Sequence, residues 1–140
     1  MSVDSILAAS RFGLAFERLR LEAASQNIAI ANTPNAPGHP ARLMRAVAPY
    51  EAGFDAAVGA TGQGSSSEPM LVAMNAAPRE VHDPSDPMAD KNGMVSYPGV
   101  DMVQEMSTLV EASRAYEANI RAFNTLRGMA LHALDIGGES

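Results

Sequence analysis

The sequence predicts a mainly α protein: long N- and C-terminal helices paired as a coiled-coil-like hairpin, with a short Pro/Gly-rich middle region containing a few β-strands or hairpins. Three observations lead there. Apolar residues recur every seventh position near both ends, at Leu7, Leu14, Leu21 and Ile28 and again at Met102, Leu109, Tyr116, Phe123 and Ala130, a spacing that keeps one helical stripe turned toward a partner. All nine prolines and most of the 11 glycines fall between those ends, where they interrupt helix. A chain of 140 residues supplies one domain at most, so residues 1–140 read as a single unit.

The first helix is expected over residues 4–32. Its sequence is Ala-rich, has Gly13 as its single glycine, and offers Asp4 or Ser5 as an N-cap, while Pro34 forbids its continuation. The apolar positions form two series, Leu7, Leu14, Leu21 and Ile28 against Phe12, Phe16, Leu19, Ala23 and Ile30. At about 100° per residue the two lie on nearly opposite faces. A two-helix hairpin uses only one such stripe, so one face is left over for a neighbouring molecule.

Residues 33–99 are expected to be loops and short strands, with strands at Leu43–Val47, Met70–Met74 and Met94–Tyr97 bounded by turn formers. Asn92-Gly93 marks a turn, because both residues accept positive φ. The polar tract at 59–69 is too hydrophilic to bury anything and reads as flexible. The last helix is expected over 100–136, with Asp101 as N-cap, Glu105 in its first turn and Gly137-Gly138 as its stop. Met106, Val110, Ile120, Leu131 and Leu134 widen its heptad face, flanked by Ala112, Leu126 and Ala133. The apolar positions of both helices are therefore the expected packing and assembly residues.

Polar residues inside these helices carry two readings. Asn27, Asn32, Asn119 and Asn124 are either solvated or capping asparagines, or buried groups whose hydrogen bonds select one helix register at some cost in stability.

Composition excludes several function classes. Ten basic against 16 acidic residues leave a net charge of -6, which opposes a nucleic-acid partner. The absence of cysteine removes disulfides, thiolate metal sites and cysteine nucleophiles. No run approaches the roughly 20 apolar residues that span a bilayer, and Asp4, Arg11, Glu17 and Arg18 disrupt any cleaved signal pattern. His82, Asp83, Asp86 and Asp90 invite a metal reading, but placing Gly93 at the calcium-loop glycine puts Met88 at the first ligand position and Gly99 at the twelfth. Asx turns explain that cluster better. His39, His82 and His132 form no zinc-protease motif, and no nucleophile elbow or phosphate loop occurs. Neither an enzyme nor a cofactor is expected.

The chain resembles the axial proteins of the bacterial flagellum, and its motifs narrow the match to the FlgC family of proximal-rod subunits of the basal body. Asn27, Ala31, Asn32 and Thr33 fall on the signature shared by rod and hook subunits. More specific is the stretch from Val81 to Met106, where Asp83, Pro84, Pro87, Ala89, Asp90, Gly93, Val95, Pro98, Val100 and Asp101 hold matching places, with Glu105, Arg114, Tyr116 and Asn119 following in the last helix. His82, Met94 and Gly99 depart from the family pattern, which has an aromatic, Tyr and Asn at these places, and residues 35–40 are unusually Pro-rich. The resemblance implies a structural subunit packed helically into the periplasm-spanning rod and passing on motor torque. It implies as partners copies of itself, other rod subunits and the membrane-ring and export-gate base, with export through the flagellar type III apparatus without a cleaved signal. Another axial subunit, or a helical adaptor or chaperone, is the alternative.

Overall fold

A computed structural model describes residues 3–36, 39, 41–48 and 68–138, and within those ranges the side chains from 7 to 133. Helix α1 spans Val3–Ile30 and helix α2 spans Met102–Gly138. Between them come β1 (Arg42–Val47), β2 (Met70–Asn75), β3 (Arg79–His82) and β4 (Met94–Tyr97). "Mainly α" thus holds only roughly: helices of 28 and 37 residues enclose two separate two-stranded antiparallel sheets.

Helix ends differ from expectation for local reasons. Helix α1 starts at Val3, so Asp4 and Ser5 lie in its first turn instead of preceding it. It stops at Ile30, two residues early, where Ala31 N–H donates to the Ile28 carbonyl and Thr33 N–H to the Ile30 carbonyl. These tightened bonds close the last turn ahead of Pro34. Helix α2 begins after Asp101, whose Oδ1 accepts from the N–H groups of Val103 (3.0 Å) and Gln104 (3.1 Å), satisfying donors that a helix start leaves free. It continues through Gly137 and Gly138, so the glycine pair does not stop it at residue 136.

The three expected strands appear as β1, β2 and β4. Strand β1 pairs with β2 in the register Val47↔Met70 to Arg42↔Asn75, and β3 pairs with β4 from Arg79↔Tyr97 to His82↔Met94. Strand β3 was not anticipated because its sequence, Arg-Glu-Val-His, is charged and lacks alternation. It is a strand because its backbone bonds to β4, and the Arg79 guanidinium lies over the Tyr97 ring, 5.1 Å from the ring centre. The tract at 59–69 lies outside the described residues except for 68 and 69.

The two helices pack antiparallel. Gly13 of α1 lies against Asn119 of α2, and Asn27 bonds to Glu105, so 14 residues forward along one helix match 14 backward along the other. The buried apolar residues are small: Ala23, Ala24, Ala31, Ala46, Ala48, Ala112 and Val95. Alanine and glycine at a helix contact let backbones approach closely. A Cβ added at Gly13 would sit 3.1 Å from Asn119 Nδ2.

This seam changes how the two apolar series of α1 are used. Projected at about 100° per residue, Gly13, Arg20, Ala24 and Asn27 fall between the two series. Leu7, Leu14, Leu21 and Ile28 on one side and Phe12, Phe16, Leu19 and Ile30 on the other are all half-buried. Both expected faces are therefore partly covered, the second with Phe12 and Leu19 also lining an open groove beside Ala15 and Arg18. Strand β1 also packs on α1.

Candidate functional site

The junction of α1, β1 and α2 is built on Asn27, which is 2% exposed. Its Nδ2 donates to the Met44 carbonyl (3.0 Å) and to Glu105 Oε1 (3.0 Å), while its Oδ1 accepts the Met44 N–H (2.8 Å). The amide therefore imitates a neighbouring strand toward Met44 and ties the start of α2 to the same point. Of the two readings of the helical asparagines, Asn27 fits the register-fixing one, since a buried amide left unpaired would be costly. Asn32 and Asn124 are exposed, and Asn119 fills the space beside Gly13.

Arg20 adds a second cross-helix link. It bonds Glu17 on its own helix at 3.0 Å and approaches Glu111 of α2 at 3.7 Å. In the sequence neither Arg20 nor Met44 stands out, and Gly13 does so only as the single glycine of the first helix. A helical spacing of seven between Gly13, Arg20 and Asn27 would have been the signal, but it is polar and small where seams are usually sought among leucines.

The second cluster is the loop joining β3 to β4. Asp83 Oδ1 accepts from the Ser85 hydroxyl (2.6 Å) and N–H (3.1 Å), Asp86 Oδ1 from Met88 N–H (2.8 Å), and Asp90 Oδ1 from the N–H groups of Asn92 and Met94 (both 2.8 Å). These are successive Asx turns, each carboxylate holding the backbone two residues on. Gly93 closes the loop at φ +73°, where a Cβ would meet Pro84 Cγ at 3.0 Å and His82 Cε1 at 3.1 Å. Both the left-handed conformation and the crowding require glycine. Asn35 links this hairpin to the end of α1: its N–H donates to the Ser96 carbonyl (2.7 Å), its Nδ2 to Ser96 Oγ (3.2 Å), and its Oδ1 accepts Ala41 N–H (3.1 Å).

Hydrogen bonds to the ionised form lower both flanking carboxyl pKa values. The Ser85 hydroxyl and then its N–H hold Asp83 below the ordinary 3.8, and the N–H groups of Met94 and Asn92 do the same for Asp90. A depressed carboxyl contributes stability that is complete above its unfolded-state value and vanishes as pH falls through the folded one. The hairpin is therefore expected to loosen below about pH 3.8. Amide proton exchange at Ser85, Asn92 and Met94, followed across that range, should show protection lost there. Asp90→Asn should weaken protection at neutral pH and flatten the response.

Along α2, Met102, Leu109, Tyr116, Phe123 and Leu126 are half-buried against α1. Met106 (53%), Val110 (51%), Ile120 (38%) and Leu131 (53%) are exposed, as is Val103 (80%). The side chain of Leu134 lies outside the described residues. Projected at about 100° per residue, the five exposed positions share an arc of about 100°. Most of the surplus apolar surface thus sits on α2, with Met70, Val72 and Met74 of β2 and Met88 also exposed. Among family-motif positions, Arg114 and Thr33 are exposed, Ala31 and Pro98 buried, and Tyr116 half-buried. No helix among the described residues is long and apolar enough to cross a membrane.

Comparison with known proteins fits this arrangement. The family model described as "Flagellar basal body rod FlgEFG protein C-terminal" matches residues 91–136, from the last Asx turn through most of α2. The flagellar basal-body rod protein FlgC of Salmonella typhimurium is 34% identical over 138 residues, covering 98% of this chain and 99% of its own. The FlgC of Borreliella burgdorferi is 33% identical over 149 residues, covering 97% and 98%. That of Bacillus subtilis reaches 49% over 57 residues, 41% of this chain and 38% of its own. With identity above 30% over nearly the whole of both chains, the chain belongs to the FlgC family of flagellar basal-body rod proteins, structural subunits of the flagellar basal body.

Proposed function

We propose that this rod subunit joins its neighbours through the apolar surface its own helix pair leaves uncovered, and transmits torque through many such helix contacts. The observation that carries the reading is the exposed stripe of α2 from Val103 to Leu131. Ser113, Glu117 and Asn124 share its arc, but large apolar side chains gathered on one exposed helix face favour association. The partners are copies of the chain and other rod subunits. The proposal extends to contacts with the membrane ring and export-gate base, and to passage through the type III export apparatus.

Deleting the gene should abolish swimming and leave basal bodies without a complete rod. Reintroducing the chain should restore motility. Ile120→Asp should fail to do so, because it puts a charge into the stripe, whereas Ala122→Asp, exposed on another side of α2, should restore it. Circular dichroism of both variants should show the same helicity. Normal swimming of the deletion, or equal rescue by the two variants, would refute the mechanism.

A further inference from the structure

The outer face of α1 carries a pattern complementary to the α2 stripe. Ala8, Arg11, Ala15, Arg18, Glu22, Ser25 and Ala29 are all exposed and share one arc of about 100°. Part of this face floors an open groove of about 730 Å³ that also reaches Glu68 and Pro69. It is mostly small residues, and Arg18 makes no ion pair among the described residues. The α2 stripe is mostly large residues, with Glu117 beside it at 62% side-chain exposure, paired among the described residues only with Arg121 on its own helix at 3.3 Å.

Resting on the rod-assembly reading, we infer that the α1 outer face of one copy receives the α2 stripe of a second copy, antiparallel, with Arg18 opposite Glu117. Copies related by rotation about and shift along one axis keep the same sense, so helices lying along that axis meet α1 to α2 in antiparallel fashion. In that sense the alignment of Arg18 with Glu117 also sets Ala15 against Ile120, Ser25 against Val110 and Ala29 against Met106. Over that overlap Ile120, Val110 and Met106 each face a small side chain, and Arg18 faces a carboxylate. Helices pack when the ridges of one enter the grooves of the other, which this alternation of size provides. The contact joins two different surfaces, so it propagates into an open helical array and does not close into a dimer.

Because the chain contains no cysteine, paired cysteines report this register directly. In cells carrying the full chain as their only copy of this subunit, the Ala15→Cys/Ile120→Cys double variant should, on mild oxidation, give a ladder of cross-linked copies. Either single variant should give none. Arg18→Glu and Glu117→Arg should each lower rod assembly by about tenfold, a modest change in contact free energy, and the double exchange should restore it. Cross-links only to a different rod protein would overturn the choice of a second copy. Assembled rods with no cross-link, or no rescue by the double exchange, would overturn the register, while motility supported by the unmodified chain would leave the rod role standing.

Discussion

Asn27→Ala is expected to destabilise the protein by about 2–4 kcal/mol, since it orphans two part-buried backbone groups at roughly 1–3 kcal/mol each. The Met44 N–H and carbonyl both depend on this one amide, and Glu105 loses its tie to α1. Urea unfolding should show a lower midpoint with an unchanged slope. Asn27→Asp gives a sharper test. Its carboxylate still accepts the Met44 N–H but can no longer donate to the Met44 carbonyl or to Glu105, and it places like charge beside Glu105. Its pKa should rise, so that variant should be weakest at neutral pH and recover on acidification. The alanine variant should show no such recovery. Wild-type stability in either variant would mean that the junction does not hold the three elements together.

The second large effect is expected at Gly99. A Cβ there would overlap the carbonyl oxygen of Ala77 and touch the Ala76 side chain. The first obstacle is backbone in the link between β2 and β3, which cannot swing aside as a side-chain tip could. Gly99→Asn should therefore cost about 3 kcal/mol and lower Tm by roughly 10 °C. Gly128→Ala supplies the contrast. Nothing lies within 4 Å of its added Cβ, so the exchange should stabilise α2 by up to about 1 kcal/mol through helix propensity alone. Equal melting temperatures for the Gly99 variant and the wild type would show that residues 76–78 rearrange freely around this position.

The two glycines differ in what the sequence discloses about them. Gly93 follows Asn92 within a string of Asx-turn aspartates, so its positive φ was legible from turn chemistry. Gly99 lies in the tight turn that the Val100 N–H closes on the Pro98 carbonyl, and its need for a bare backbone comes from Ala77, 22 residues earlier. No local pattern reports such an approach. The same distinction separates β4, flagged by Met-Val-Ser-Tyr, from β3, whose charged sequence becomes a strand only beside β4.

The candidate site divides along similar lines. Asn27, Asp83, Asp90, Gly93 and Glu105 were visible as motif positions, but their partners were not. That Asn27 serves Met44 and Glu105 at once requires β1 and the N-terminus of α2 to meet on one side of α1. Seven-residue periodicity identified both helices because repeated apolar spacing is a property of the strand of residues alone. It did not identify the seam. Leucine and phenylalanine series drew attention to two opposed faces, whereas glycine and alanine between them let the backbones come closest, leaving the larger side chains as shoulders.

Composition and periodicity were thus enough to establish the element types, the order of the helices, the turn chemistry of the β3–β4 loop and the family resemblance, because each depends on neighbours along the chain. Which face of each helix is buried, which amide is shared among three elements and which apolar stripe stays exposed depend on distances between residues up to 106 positions apart, as between Gly13 and Asn119. Close packing sets those distances. A helix contact is won by the side chains that permit the nearest approach, and their identity is settled only when both surfaces are present.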